Sequence, residues 1–342
     1  MRKLLNTLYV TAADSYLARD GENVLVLMGE KEQREKFRVP VHNLEQIVTF
    51  GYTGASPALF QLCADRGVGL TFLSEYGAFQ ARIQGKVNGN VLLRRRQYRM
   101  ADGAEAVRIS GRIIQAKIIN SRNVLRRAVR DHAAEIDAAK VTEAVIVLKR
   151  LSLSVLKMPT GDTIRGAEGE AARIYFNAMN ELVLADKDLF HIKTRNRRPP
   201  LDPLNALLYT MLRIDVQSAL ETVGLDPAVG FLHRDRPGRA SLALDLMEEL
   251  RPYLADRLVL SLVNRRQLSA KSFIVKENGA VLLKDDARKE VLAAWQKRKQ
   301  EEITHPYLGE KIPLGLLPYA QALLLARHIR GDLDDYPPFL WK

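Results

Sequence analysis

Residues 15–28, SYLARDGENVLVLM, decide how the first part of the chain is read. Two apolar runs flank Asp20-Gly21, a pair that makes a hairpin turn because the glycine takes positive φ at no steric cost. Short β-branched segments surround it: TLYVT (7–11), KFRVPV (36–41) and EQIVTFG (45–51), then VGLTFLS and FQARIQG before residue 86. Their partial alternation is that of strands. One helix is expected among them. Ser56 is its cap, Pro57 its first turn and Gly67 its stop. The opening MRKLLNTLYVTAAD is not read as a secretion signal, because Asn6 and Thr7 interrupt the apolar stretch, which runs into strand 7–11.

After Asn88-Gly89-Asn90 the pattern changes. Apolar residues recur at three- and four-residue spacing over 91–100, 104–133, 139–157, 163–184, 203–222 and 241–250, as in amphipathic helices. A single hairpin, SFIVKENGAVLL (272–283), is expected to turn at Asn278-Gly279. The fold class is therefore α+β in two domains: a β-strand-rich domain over 1–90 and a larger all-α domain over 91–342. With 342 residues, 47% hydrophobic and 27% charged, the chain has material for a full core. One cysteine, Cys63, excludes an internal disulfide and a Cys-rich zinc site. No apolar run is long enough for a membrane span, so the expectation is a soluble, cytoplasmic protein.

The formal charge is +12. Residues 1–90 are nearly neutral, whereas 94–130 carry eleven Lys/Arg, including Lys117, Arg126, Arg127 and Arg130, against Asp102 and Glu105 alone. Solvated basic helices usually interleave acids. A stripe with so few favours a polyanion held through counterion release. A second basic stretch, Lys193, Arg195, Arg197 and Arg198, precedes the helix that starts near Asp202-Pro203.

Two segments place acids unusually. In DTIRGAEGEAARIYFNAMN (162–180), Ile164, Ala171, Ala172, Tyr175 and Met179 share one helical face, with Glu168 in its middle. A carboxylate there needs a cation, a metal or a donor. Arg165, one turn earlier, is the structural alternative. Gly166 and Gly169 suggest close approach by another backbone or a ligand. In FLHRDRPGRASLALDLMEELRP (231–252), Leu242, Leu246, Met247 and Leu250 form one arc, and Asp245, Glu248 and Glu249 the other. Ser241 is a candidate cap and Pro252 the stop. His233 precedes this helix. Imidazole plus carboxylates without a thiolate suit Mn²⁺ or Mg²⁺, although a histidine near acids is common in any chain. No G-x-S-x-G elbow, phosphate loop or G-x-G-x-x-G fingerprint is present. Cys63, His191 and His305 read as structural.

The blocks RGAEGEAARIYF (165–176), RPPLDPLNALLY (198–209), GFLH (230–233) and PGR…LDLMEE (237–249) occur in the order found in the CRISPR-associated adaptation endonucleases, the spacer integrases, which this sequence resembles. The segment KIPLGLLPYAQALLLARHIRGDLDDYPPFLW (311–341) is similar to the subtype I-C branch. The resemblance implies a β-rich dimerisation domain, a helical catalytic domain and a homodimer. It implies a Mn²⁺ or Mg²⁺ site made by Glu168, His233 and Glu248, with Asp245 one turn away as the fourth acidic group of the site. It further implies transesterification: the 3′-hydroxyl of a short foreign DNA attacks the edge of a CRISPR repeat in antiviral defence. The partners implied are DNA and a small ferredoxin-like adaptation protein bridging two dimers. The arginine stripe and loop 193–198 would track DNA, with Asn205 and Tyr209 at the phosphate or shaping the pocket. The competing readings are a non-catalytic nucleic-acid scaffold and an RNA-processing nuclease.

Overall fold

The computed structural model describes residues 3–12, 14–29, 35–85, 90–185, 201–277 and 280–341. The basic loop with Lys193, Arg195, Arg197 and Arg198, together with His191, Asn88-Gly89 and the turn Asn278-Gly279, lies outside the described residues. Two compact units emerge, Met1–Val87 with Leu283–Lys297, and Asn88–Leu282 with Arg298–Lys342. Residues 283–297, assigned by the sequence to the helical domain, thus group with the first unit.

The first unit holds two four-stranded sheets. One orders its strands β4-β3-β2-β6, from β2 (Tyr16–Asp20), β3 (Asn23–Met28), β4 (Glu35–Pro40) and β6 (Gly54–Ala55). The β2–β3 hairpin pairs Asp20 with Asn23, and Gly21 turns it at φ +62°. The other sheet runs β1-β5-β7-β8, from β1 (Asn6–Val10), β5 (Leu44–Phe50), β7 (Gly69–Leu73) and β8 (Phe79–Ile83). β1 and β7 both pair parallel to β5. Parallel neighbours need a crossover, and α1 (Pro57–Arg66) supplies it between β5 and β7. Its ends are as expected: the Ser56 hydroxyl accepts from the Leu59 amide at 3.3 Å, Pro57 opens the helix and Gly67 closes it at φ +67°. Alternation sends Leu17, Val24 and Val26 into a core shared with Val10, Ile47, Leu59, Leu62, Cys63 and Leu70. Cys63 is thus a buried packing residue, and burial pushes its thiol up to about 11.

The second unit is mainly helical, with α2 (Val91–Ala101), α3 (Ala104–His132), α4 (Ala138–Ser154), α5 (Gly161–Met179), α6 (Leu201–Val223) and α7 (Ser241–Glu248) close to the expected segments. It is not all-α. Strands β9 (Phe273–Val275) and β10 (Val281–Leu283) pair, as do β11 (Glu302–Thr304) and β12 (Lys311–Pro313). Two helices of this unit were not expected, α8 (Arg257–Asn264) and α10 (Leu317–Arg330), nor was α9 (Asp285–Gln300), most of which groups with the first unit. Pro252 does not stop the chain's helical course. It opens a π-helical turn, Pro252–Asp256, that leads into α8, because proline's missing N–H is harmless at a first turn. The long α3 packs against α4, α5 and α7 through Ile109, Ile113, Ile114, Ala116, Val124 and Leu125. No helix among the described residues is long and apolar enough to cross a membrane.

Candidate functional site

Helix α5 begins with a capping box, in which Thr160 and Thr163 satisfy each other's backbone amides. This fixes the helix phase, so that Ile164, Ala167, Ala171 and Tyr175 are buried with Glu168 beside them, its side chain 27% exposed. The cation that satisfies Glu168 is not Arg165. Arg165 pairs with Asp162 and donates to the Leu232 carbonyl at 2.6 Å. The partner is Lys117, from the buried ridge of α3, whose ammonium touches Glu168 Oε1 and also Glu248 Oε2, the latter at 2.5 Å. Glu170, by contrast, is a surface acid paired with Arg173.

No other backbone approaches Gly166 or Gly169 closely among the described residues. A Cβ on either would meet nothing within 4 Å, so the helix beside Glu168 is open.

Helix α7 is not amphipathic in the expected sense. Asp245, Glu248 and Glu249 are all buried, at 0%, 3% and 0% exposure, because the helix is enclosed on both arcs. Ser241 is not the cap. Its hydroxyl goes to the Arg234 carbonyl, and the cap position is Ala240. Each acid is then satisfied differently. Asp245 accepts backbone N–H bonds from Phe231, Leu232 and His233 at 2.6–2.9 Å, and its Oδ1 lies 2.6 Å from His233 Nδ1. Gly230 permits this nest, since a Cβ there would stand 2.7 Å from Asp245 Oδ2. A carboxylate against Nδ1 fixes the orientation of the imidazole ring.

Glu248 sits between two cations: Arg251 Nη1 lies 2.7 Å from Oε1, while Lys117 takes Oε2. Burial opposes the charge of Glu248, but Arg251, Lys117 and His233 outweigh it and hold the carboxyl below its usual range. Burial likewise works against the Lys117 ammonium, and Glu248 and Glu168 reverse it, leaving the lysine above its ordinary value.

Tyr209 extends this network. Its hydroxyl donates to Asp256 Oδ1 at 2.6 Å, and the Arg251 guanidinium lies 4.7 Å over its ring. Burial raises Asp256 to about 6 against the pull of Tyr209, Tyr175 and Arg251. Asn205 is buried, and its Oδ1 has no hydrogen-bond partner among the described residues.

The structure therefore gathers Glu168 and Glu248 around one ammonium and holds His233 by Asp245 nearby. Among the described residues no group of three His, Cys, Asp or Glu side chains is placed to hold a metal.

The chain matches the model of the family described as CRISPR associated protein Cas1 over residues 8–297. It belongs to the Cas1 family. The CRISPR-associated endonuclease Cas1 2 of Rhodospirillum rubrum is 53% identical over 349 residues, covering 100% of both chains. A solved Cas1 structure from Thermotoga maritima shares the fold at TM-score 0.80 and 22% identity, covering 96% of this chain and 97% of that one. A casposase bound to its integration product superposes at TM-score 0.82 with 20% identity, covering 97% and 93%.

The basic stripe is not one solvent face. Arg94 and Arg96 donate to the carbonyls of Gly224 and Arg330, and Arg112 pairs with Asp335 at 2.5 Å. Arg126, Arg127 and Arg130 are exposed near the end of α3, the last two sharing Asp131. The acids missing from the stripe arrive from distant segments, which a local charge count does not register. Sequence reasoning treated Lys117 as one more stripe residue. Its signal was available: Ile113, Ala116, Asn120 and Val124 make a buried ridge at helical spacing, and Lys117 lies on it as Glu168 lies on the apolar face of α5.

Proposed function

We propose that this Cas1 chain is a divalent-metal-dependent DNA endonuclease and integrase, which joins the 3′-hydroxyl ends of short foreign DNA to a CRISPR repeat. The observation that carries the reading is the convergence of Glu168 and Glu248, from α5 and α7, on a single cationic centre. Two carboxylates already placed to share one cation, taken with the His233 imidazole that Asp245 holds, are a hard-to-borderline donor set suited to Mn²⁺ or Mg²⁺. Glu168, Glu248 and His233 Nε2 would hold the ion. Asp245 would keep the His233 Nδ1 proton in place. This division makes Glu248 the direct ligand and Asp245 the support. When bound, such an ion supplies Lewis-acid stabilisation of charge on a phosphate oxygen.

The chain's own groups do the rest. Arg251, locked over Tyr209, holds Glu248 ionised at the site. The open face of α5 at Gly166 and Gly169 leaves room for a strand beside Glu168. The attacking 3′-oxygen forms a bond to phosphorus as the bond to the leaving strand oxygen breaks, and the hydroxyl proton ends on that leaving oxygen. One phosphodiester replaces another, so no energy source is needed. Water as the attacking group gives endonuclease cleavage at the same site. The partner protein bridging two homodimers, the dimerising role of the strand-rich unit, phosphate contacts by Arg126, Arg127 and Arg130, a cytoplasmic location and the I-C assignment belong to this proposal through the sequence resemblance.

Glu168→Ala tests it. Metal-stimulated strand joining is expected to vanish while DNA affinity persists. Unchanged joining rejects the catalytic assignment and favours a scaffold. A preference for RNA in direct competition favours an RNA-processing nuclease.

A further inference from the structure

We propose that Lys117 is a resident counter-cation of the carboxylate pair: it holds Glu168 and Glu248 together until a divalent cation displaces its ammonium, which then turns to the phosphate of the bound DNA. This rests on the metal reading of the same site. Four observations support it.

The ammonium contacts one oxygen from each carboxylate, the pair proposed to bind the ion, so lysine and ion compete for the same acceptors. Without a metal, Lys117 and Arg251 already pair with Glu168 and Glu248, with Asp256 as a further acid of the network. A divalent ion added to the same oxygens would face a like charge a few ångströms away, between the largely buried side chains of Lys117 and Glu248. That arrangement is strongly repulsive. One cation must leave. Arg251 is fixed, its guanidinium stacked on Tyr209 and reaching Glu248 Oε1 and the Met247 sulfur. Lys117 has a flexible four-carbon stem and, among the described residues, no ring contact, so it is the group able to move. Glu168 is the more exposed of the two carboxylates, and the α5 surface next to it is open, which gives the ammonium a path towards a polyanion. The second buried cation thus has two tasks: to keep like-charged carboxylates assembled in the empty site, and to neutralise phosphate in the loaded one.

The test replaces the charge while keeping the bulk. Wild type, Lys117→Met and Lys117→Gln are titrated with Mn²⁺ alone by electron paramagnetic resonance, and their melting temperatures are measured in chelator and in saturating Mn²⁺. Removing a competitor that occupies the pair nine-tenths of the time or more tightens apparent binding at least about tenfold. Both variants are expected to bind Mn²⁺ that much more tightly, to melt below wild type in chelator and to close that gap when loaded. Strand joining is expected to slow even at saturating metal, opposite to the change in affinity. A generally damaged fold would lose both together. The glutamine variant retains an amide donor for one carboxylate, so it reports the same affinity change should the methionine variant not fold. Folded variants that bind Mn²⁺ no tighter than wild type overturn the role of Lys117 while leaving the metal site standing. Absence of Mn²⁺ uptake by every form, wild type included, overturns the metal reading itself and the displacement with it.

Discussion

Glu248 and Glu249 are adjacent, the same residue type, at the same helix end and equally hidden from water. Their environments are nonetheless opposite. Glu248 faces two cations and stays ionised. Glu249 faces neutral donors only: its Oε1 accepts from Tyr336 Oη and Gln321 Nε2, each at 2.7 Å, and its Oε2 from the Phe339 amide at 3.3 Å. Burial outweighs those bonds and pushes its carboxyl up to about 8. Burial penalises charge alike at both positions, so the partners decide whether a hidden acid is charged. One acid is held charged by a lysine and an arginine. The other is a neutral fastener holding the C-terminal segment 336–341, where Asn120 also bonds the Phe339 carbonyl and the Trp341 amide.

The largest effect that sharpens this contrast is a pH dependence. Glu249 has its native pKa raised from 4.5 to about 8. The native state therefore holds a proton that the unfolded chain has released, and stability falls as pH rises between those two values. Glu249→Gln mimics the neutral acid and should remove that slope. In chelator, the variant should gain on wild type by on the order of 5 kcal/mol between pH 4.5 and pH 8, read from denaturant unfolding at each pH. A constant difference across that range would show Glu249 to be ionised like its neighbour.

Glu248→Gln should do the reverse, and by less. Its carboxyl is held below the usual range, so its contribution is present above about pH 4.5 and is lost as acid protonates it. At pH 7 the variant leaves Lys117 and Arg251 short of counter-charge, at a cost of about 3 kcal/mol. That deficit should shrink as pH falls below the ordinary carboxylate value of 4.5, and Mn²⁺ uptake should be lost. Full Mn²⁺ affinity in Glu248→Gln would place the ligand elsewhere and return Asp245 to consideration.

The contrast also marks where sequence reading stops. The strands of residues 1–85 were legible because β-branched alternation and turn residues are local, and Gly21 and Gly67 adopt the positive φ their positions require. Glu168 was legible because an acid on an apolar helical stripe violates a local rule. The fates of Asp245, Glu248 and Glu249 were not. An eight-residue helix enclosed on both arcs has no polar face, so periodicity could only set the three acids on the arc opposite the leucines and could not tell their partners apart. What encloses them comes from far along the chain: Asn120 bonds the Glu249 carbonyl, and Tyr336 and Phe339 bond its carboxyl. Lys117 was hidden for the same reason, since both its partners lie more than fifty residues away. The sequence reading of the ligand set depended on resemblance, whereas the structure supplies a physical reason to separate Glu248 from Asp245, namely the backbone nest and imidazole that Asp245 already serves.

The smallest effect tests whether the two neighbours are independent. Tyr336→Phe removes one of two donors to Glu249 Oε1 and leaves the ring in place, at an expected cost of about 1 kcal/mol. Because the tyrosine hydroxyl partly counters burial, its loss should raise the Glu249 carboxyl further, so that the decline in stability extends above pH 8. Nothing in this change touches Lys117, Arg251 or the Glu248 carboxylate, and Mn²⁺ affinity should stay as in wild type. In the double variant Tyr336→Phe/Glu249→Gln the extra pH dependence should disappear, because the group that titrates is gone. A shift in Mn²⁺ affinity in Tyr336→Phe would mean that the C-terminal fastener and the cation site are coupled along α7. The charge state of Glu248 would then be set partly by the tail and not by its two cations alone.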